Sequence, residues 1–184
     1  MKKIVTLFSG EGTNLANLIE KVHLKHGAIV CAITNNPEAG GIAKARAAHI
    51  PVEILDHRDY ESREAYDAAL VELIGEYNPD LVVLCGFMRI LTPVFTFNVR
   101  SINLHPSLLP AFKGARAIER SFESQESICG VSVHWVSDEL DGGEIILQKS
   151  FTKNSSDTLE EFSAKIREIE HDILPLSVIK ILKD

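Results

Sequence analysis

Four short apolar runs, with residues at helical spacing between them, constrain this chain more than any other feature. The runs are Ile4 to Phe8, Ala28 to Thr34, Val52 to Leu55 and Leu81 to Cys85. Each is too short for a core helix and reads as a strand buried on both faces. Between them, Leu15, Leu18, Ile19 and Val22 recur at helical spacing, and Ile42 to His49 reads as a short helix. Arg63 to Tyr77 reads as a long one, with Ala65, Ala69, Leu70, Leu73 and Ile74 on its apolar side. A βαβαβαβ order of this kind predicts an α/β fold, a Rossmann-like, mostly parallel sheet with helices on both faces and right-handed crossovers.

The second half changes pattern. A strand near Ser101 to Leu104 leads into a proline-marked loop, His105 to Pro110. Gly130 to Trp135 and Glu144 to Ser150 are strand-like and flank the turn Asp138 to Gly143, which predicts a hairpin and a mixed sheet. Asp157-Thr158-Leu159-Glu160 reads as a capping box, with Asp157 capping and Glu160 reaching back. The helix that follows is expected to be interrupted near Pro175, which has no amide hydrogen.

The 184 residues fit one domain, 1–184. Within it, 1–100 is the Rossmann-like, phosphate-binding half and 101–184 the half for catalysis. No apolar run approaches the ~18–20 residues that span a bilayer. Ile4 to Phe8 is too short for the core of an export signal. The 26 acidic residues outnumber the 19 basic ones, giving a net charge of −7, which argues against nucleic acid as a partner. Cys31, Cys85 and Cys129 are far apart and form no CxxC, so a reduced, cytoplasmic protein without a metal site is expected. Cys85 has no neighbour to activate it and reads as core filler.

Ser9-Gly10-Glu11-Gly12-Thr13-Asn14 lies between the first strand and the first helix. Glycines let backbone approach a ligand, and free amides at a helix start attract phosphate. A dinucleotide fingerprint wants a third glycine at position 15, where Leu15 stands, and an acidic residue ending the second strand, where Thr34-Asn35-Asn36 stands. NAD is therefore not expected. A monophosphate fits the loop, and so does a tight turn of small residues. If an anion binds, the Glu11 side chain must point away from it.

Asn103 and His105 are two apart at a strand end and so share a face. Asp141, in Asp-Gly-Gly, lies on a turn that can fold back over the same strand ends. An amide donor, a titratable ring and a carboxylate together suit oxyanion stabilisation and proton transfer in acyl chemistry. A satisfied loop histidine and an ordinary turn explain the same residues. His134, between Val133 and Trp135, is expected behind the catalytic residues rather than in direct chemistry. His23, His26, His49 and His57 read as surface groups.

Asn103-Leu104-His105-Pro106-Ser107-Leu108-Leu109-Pro110 and Asp138-Glu139-Leu140-Asp141-Gly142-Gly143 resemble the folate-dependent formyltransferase family. The first loop, Gly86-Phe87-Met88-Arg89-Ile90-Leu91 and Glu170-His171 are similar to its purine-synthesis branch, and the likeness runs over essentially the whole chain. The resemblance implies a three-layer formyltransferase fold. It also implies transfer of the formyl group of 10-formyltetrahydrofolate, as co-substrate, to the amine of 5'-phosphoribosylglycinamide. Small molecules are then the partners, with the protein a monomer or homodimer.

By that resemblance His105 is the acid that protonates the departing folate nitrogen, Asn103 donates to the oxyanion, and Asp141 orients His105. Gly12, Thr13 and Asn14 hold the ribonucleotide phosphate, Pro106 borders it, and Glu170 accepts from the glycine amine. Met88, Arg89, Ile90 and Leu91 line the folate and Arg63 meets its glutamate carboxylates, although folate binding is otherwise expected with the catalytic half, 101–184. The sequence departs from the family at Lys113-Gly114-Ala115-Arg116, where many members carry Pro-Gly and then His.

Three rival readings remain. A methionyl-tRNA formyltransferase is expected to carry a further tRNA domain and a basic surface. A formyltetrahydrofolate hydrolase is expected to carry an amino-terminal regulatory domain. A non-catalytic folate or nucleotide binder has no need of the Asn-His-Asp set.

Overall fold

The computed structural model describes residues 1–183. Its strands are β1 (Lys3–Phe8), β2 (Ala28–Thr34), β3 (Val52–Ile54), β4 (Leu81–Leu84), β5 (Ser101–His105), β6 (Ile128–Trp135) and β7 (Ile145–Thr152). Its helices are α1 (Thr13–Lys21), α2 (Gly41–Ala47), α3 (Arg63–Tyr77), α4 (Pro93–Thr96), α5 (Ala117–Glu123) and α6 (Leu159–Lys183). The seven strands form one sheet in the order β3-β2-β1-β4-β5-β6-β7. Pairs from β3 across to β5 are parallel; β5–β6 and β6–β7 are antiparallel. The mixed α/β sheet expected from the sequence is the one found.

Alternation along β1 builds the two cores. Ile4 and Phe8 face the layer of α1, α2 and α6, packing with Leu15, Leu18, Ile42, Phe162, Ile166 and Val178. Val5 and Leu7 face α3 and α4, packing with Tyr66, Leu70, Ile74 and Phe95. Strands with no solvated face need apolar residues at nearly every position, which explains why the runs do not alternate with polar residues.

The chain leaves β1 toward β2 and β3, then returns to β4 on the other side of β1. That reversal is a topological switch point, and it opens a crevice at the carboxyl ends of β1, β4 and β5. The sequence places its loops there. Gly12 adopts φ 71°, and a Cβ on it would stand 2.6 Å from Gly41 Cα. Only glycine permits both the left-handed turn and the close approach of α1 to α2.

Two expectations are corrected by the structure. The capping box belongs to Thr158 and Glu161, one residue later than expected. Glu161 N donates to Thr158 Oγ1 at 3.2 Å, and Thr158 N to Glu161 Oε2 at 2.8 Å. Asp157 instead accepts from Asn154 N and Lys165 Nζ. Secondly, α6 runs unbroken through Pro175. The proline removes the amide that would serve the His171 carbonyl four residues earlier. Asn17 Nδ2 and Lys21 Nζ, both from α1, donate to that carbonyl at 2.7 and 2.8 Å.

Candidate active site

Antiparallel pairing of β5 with β6 sets Asn103 opposite His134 and His105 opposite Ser132. Asn103 and His105 share a face, as their spacing requires. Asp141 comes to them from the β6–β7 turn, where it adopts φ 52°, a conformation Asp tolerates better than most residues. The neighbouring Gly143 is needed for that turn, because a Cβ there would fall 1.7 Å from the Trp135 carbonyl oxygen.

The Asp141 carboxylate is the hub. Oδ2 lies 3.4 Å from His105 Nδ1 and accepts from Gly114 N at 2.8 Å. Oδ1 lies 3.5 Å from both His134 Nε2 and Asn103 Nδ2. His105, His134 and Asp141 are all buried. Burial pushes the Asp141 carboxyl up, but the hydrogen bond from His134, the Gly114 amide and the two imidazoles outweigh it, so the net shift is downward. Asp141 is therefore a firmly ionised carboxylate.

His134 Nδ1 contacts the Trp135 carbonyl at 2.9 Å, which turns Nε2 toward Asp141. His105 Nε2 meets the Phe112 carbonyl at 2.8 Å. Both nitrogens of His105 thus face oxygens. A neutral imidazole has one N–H and can serve one of them, whereas an imidazolium serves both. The 3.5 Å contacts of Asn103 Nδ2 are loose, which leaves its N–H groups free to turn to a developing oxyanion.

These groups open on a cavity of about 560 Å³. Met88, Arg89, Ile90 and Leu91 line one wall, Gly114 to Glu119 another, and Pro106 the rim near His105. Met88 is 79% exposed and Ile90 51%. Apolar side chains held open to solvent beside polar groups suit a flat, part-aromatic ligand. The wall is fixed from beneath. Met88 N donates to Ser9 Oγ at 2.8 Å, and Thr92 donates through N and Oγ1 to the buried Asp67 Oδ2 at 2.6 and 2.8 Å. Arg89 lies over the Tyr66 ring, 5.5 Å from its centroid. Arg63 is exposed at the first residue of α3 and is not among the residues lining the cavity.

The first loop ends in Gly12 as the cap of α1, and no side chain caps the helix among the described residues. The first-turn amides therefore point outward without an acidic neighbour in that turn, the arrangement that attracts an anion. Glu11 turns aside: its carboxylate lies over Gly40, 2.6 Å from where a Cβ would sit. Asn14 Nδ2 donates to Glu170 Oε2 at 3.3 Å, joining the loop to α6. Burial pushes the Glu170 carboxyl up, against the hydrogen bond from Asn14 and the charge of Arg167. A second cavity, about 630 Å³, lies between α6 and β7 beside Lys21, Lys149 and Lys165, and contains none of the candidate residues.

The structure brings Asn103, His105 and Asp141 together, and Asn14 with Glu170. His134, expected behind the catalytic residues, lies 3.5 Å from both Asp141 Oδ1 and Asn103 Nδ2, an approach that depends on the β5–β6 register. Sequence reasoning did not single out Arg167, although its i, i+3 spacing from Glu170 was a usable signal. It did not single out the Phe112 carbonyl or the Gly114 amide, which carry no side-chain signature.

A family model described as formyl transferase matches residues 2–178. Phosphoribosylglycinamide formyltransferase of Escherichia coli is 40% identical over 179 residues, covering 95% of this chain and 84% of the relative. The trifunctional purine biosynthetic protein adenosine-3 of Bos taurus is 38% identical over 179 residues; the match covers 94% of this chain but only 18% of that protein's length. The crystal structure of phosphoribosylglycinamide formyltransferase from Campylobacter jejuni superposes with a TM-score of 0.95 at 52% identity, covering 98% of this chain and 97% of that one. The chain belongs to the formyl transferase family.

Proposed function

We propose that this protein transfers the formyl group of 10-formyltetrahydrofolate to the amine of 5'-phosphoribosylglycinamide, giving formylglycinamide ribonucleotide and tetrahydrofolate in purine synthesis. The observation that carries the reading is the Asp141 carboxylate set among His105, Asn103 and His134 at the mouth of the 560 Å³ cavity. The similarity to named phosphoribosylglycinamide formyltransferases over most of both chains supports it.

The chemistry follows from the groups present. The amine attacks the formyl carbon and the carbonyl electrons move to oxygen. Asn103 Nδ2 and the His105 ring donate to that oxyanion. As the carbonyl re-forms, the bond to the folate nitrogen breaks, and His105 Nε2 supplies its proton. The proton lost by the amine returns through water to the His105–Asp141 pair. Asp141 steadies the charged ring through Nδ1. Glu170 accepts from the amine, and the amides of Thr13 and Asn14 after Gly12 hold the phosphate. Pro106 keeps the ribonucleotide against the rim.

The folate lies along Met88, Arg89, Ile90 and Leu91. Arg63, at the exposed start of α3, meets the glutamate tail where it leaves the cavity. We read the chain as one functional unit. Residues 1–100 supply the phosphate loop and the folate wall, and residues 101–184 supply Asn103, His105, Asp141 and Glu170. Among the described residues no group of three or more His, Cys, Asp or Glu could hold a metal ion, and no helix is long and apolar enough to cross a membrane. Three buried, unpaired thiols support a reducing, cytoplasmic setting.

Incubation with 10-formyltetrahydrofolate, with and without the ribonucleotide, tests the proposal. Tetrahydrofolate released only when the ribonucleotide is present supports it. Release in its absence indicates a hydrolase, and no turnover a binding protein; either result ends the reading.

A further inference from the structure

Three backbone carbonyls in and beside the loop Lys113 to Arg116 accept from one side chain. Arg120, on α5, folds back beneath the loop. Its Nε donates to the Ala115 carbonyl at 3.0 Å, and its Nη2 to the Phe112 carbonyl at 3.1 Å and also to that of Lys113. Its guanidinium carbon lies 5.9 Å from the Phe112 ring centroid. Phe112 and Arg116 both have φ 55°, a conformation disfavoured for L-residues. A loop bent in this way persists when something outside it holds its carbonyls, and the planar fork of arginine can hold several at once.

The Phe112 carbonyl is the junction between Arg120 and the proposed acid. It accepts from His105 Nε2 at 2.8 Å and from Arg120 Nη2 on its other side. Two residues on, Gly114 N donates to Asp141 Oδ2. One short loop therefore touches both members of the His105–Asp141 pair. For His105 to give a proton to a substrate, Nε2 must leave the Phe112 carbonyl. A part-buried carbonyl stripped of its donor is costly, but a carbonyl has two lone pairs, and here the second is already filled by Arg120.

We infer that Arg120 is a positioning residue for proton donation. It keeps the Phe112 carbonyl satisfied and the loop in place, so that His105 turns from Phe112 to the departing nitrogen while Gly114 stays on Asp141. This inference rests on the formyl transfer proposed above.

The test compares the parent enzyme with Arg120→Ala and Arg120→Lys, varying each substrate in turn with the other saturating. Parent turnover dependent on both substrates is the check on the reaction itself; if the parent fails, the reading of function is at fault and not the role of Arg120. With the parent active, Arg120→Ala is expected to lower kcat by about 10- to 30-fold, the scale of one orphaned carbonyl. Each KM should stay within about twofold of the parent. Guanidinium added at tens of millimolar should restore part of kcat in Arg120→Ala and leave the parent unchanged, a response that lost folding would not give. Arg120→Lys keeps the charge but not the fork, so it should keep the parent Tm and show reduced kcat. If Arg120→Ala does not fold, Arg120→Lys decides alone. Parent kcat in either folded variant, or a loss confined to KM, overturns the inference.

Discussion

The Asp141 carboxylate meets His105 at Nδ1, 3.4 Å away, and so leaves Nε2 as the nitrogen that can face a substrate. The relationship is built by elements distant in sequence. Strand β5 presents the ring, and the left-handed residue of the β6–β7 turn presents the acid. His134 and the Gly114 amide steady the carboxylate from either side.

His105→Ala is therefore expected to lower kcat by about 100- to 10,000-fold, the range for loss of a positioned acid. Ribonucleotide affinity should be nearly kept, because the residues proposed to meet the phosphate and the amine lie at the start of α1 and on α6. Binding measured by calorimetry beside turnover checks this. Equal turnover in variant and parent removes His105 from the mechanism.

Asp141→Asn is expected to depress kcat and to flatten the acid limb of stability. The Asp141 carboxyl is held below its ordinary value of 3.8, because the bonds to His134 and Gly114 outweigh burial. A carboxyl depressed in the fold adds stability above its unfolded pKa, and that stability is lost as pH falls through the folded value. Unfolding followed from pH 5 downward should thus be shallower in the variant than in the parent. Parallel curves would mean that Asp141 is not held in this way.

Glu170 has the opposite sign. Burial raises its carboxyl above the ordinary 4.5, against Asn14 and Arg167. The folded state then holds this proton more tightly than the unfolded chain does, and stability falls as pH rises through the window above 4.5. Glu170→Gln should raise Tm at neutral pH, with the gain vanishing in acid below that window, while the KM of the ribonucleotide increases. A Tm gain that does not vary with pH would contradict the ionic origin. An unchanged KM would remove Glu170 from amine recognition.

The same residues show where the sequence was legible. Helix α3 runs from Arg63 to Tyr77 as expected, because Ser62 caps it locally and Asn78 ends it in a left-handed turn, but its buried face is Tyr66, Asp67, Leu70 and Ile74, and Ala65, expected on the apolar side, is exposed. Asn103 and His105 were readable as a pair because strand geometry is local. The cap of α6 was misplaced by one residue, since Asp157 and Thr158 can both cap and Lys165, a full two turns on, claims Asp157. His134 gained its place only through the β5–β6 register, and Arg120 only through a loop with three left-handed residues, Phe112, Gly114 and Arg116. Neither kind of relationship leaves a periodic mark on a sequence.

Gly12→Ala should separate the two substrates. The new methyl would meet Gly41 Cα at 2.6 Å on a backbone already at φ 71°, so α1 must shift at its first turn. The expected cost is about 1–3 kcal/mol of stability. The KM of the ribonucleotide should rise while that of the formyl-folate is kept. If both KM values move together, the loop serves the site as a whole rather than the phosphate.

The last expectation concerns Pro175, which sits inside α6 without interrupting it. Its ring leaves the His171 carbonyl without an amide partner, and Asn17 and Lys21 reach across from α1 to fill the place. Asn17 is buried and its bond is the shorter at 2.7 Å. Asn17→Ala should then cost about 0.5–1.5 kcal/mol, because it takes one donor from a carbonyl that the helix itself cannot serve and leaves it to the exposed Lys21 alone. In a Pro175→Ala background the residue 175 amide can close the ordinary helical bond to His171, and the same Asn17→Ala change should cost less than half as much. Chemical unfolding of the four proteins gives the coupling as a double-mutant cycle. Additive costs would show that α1 packs on α6 by area alone, with no exchange of one donor for another.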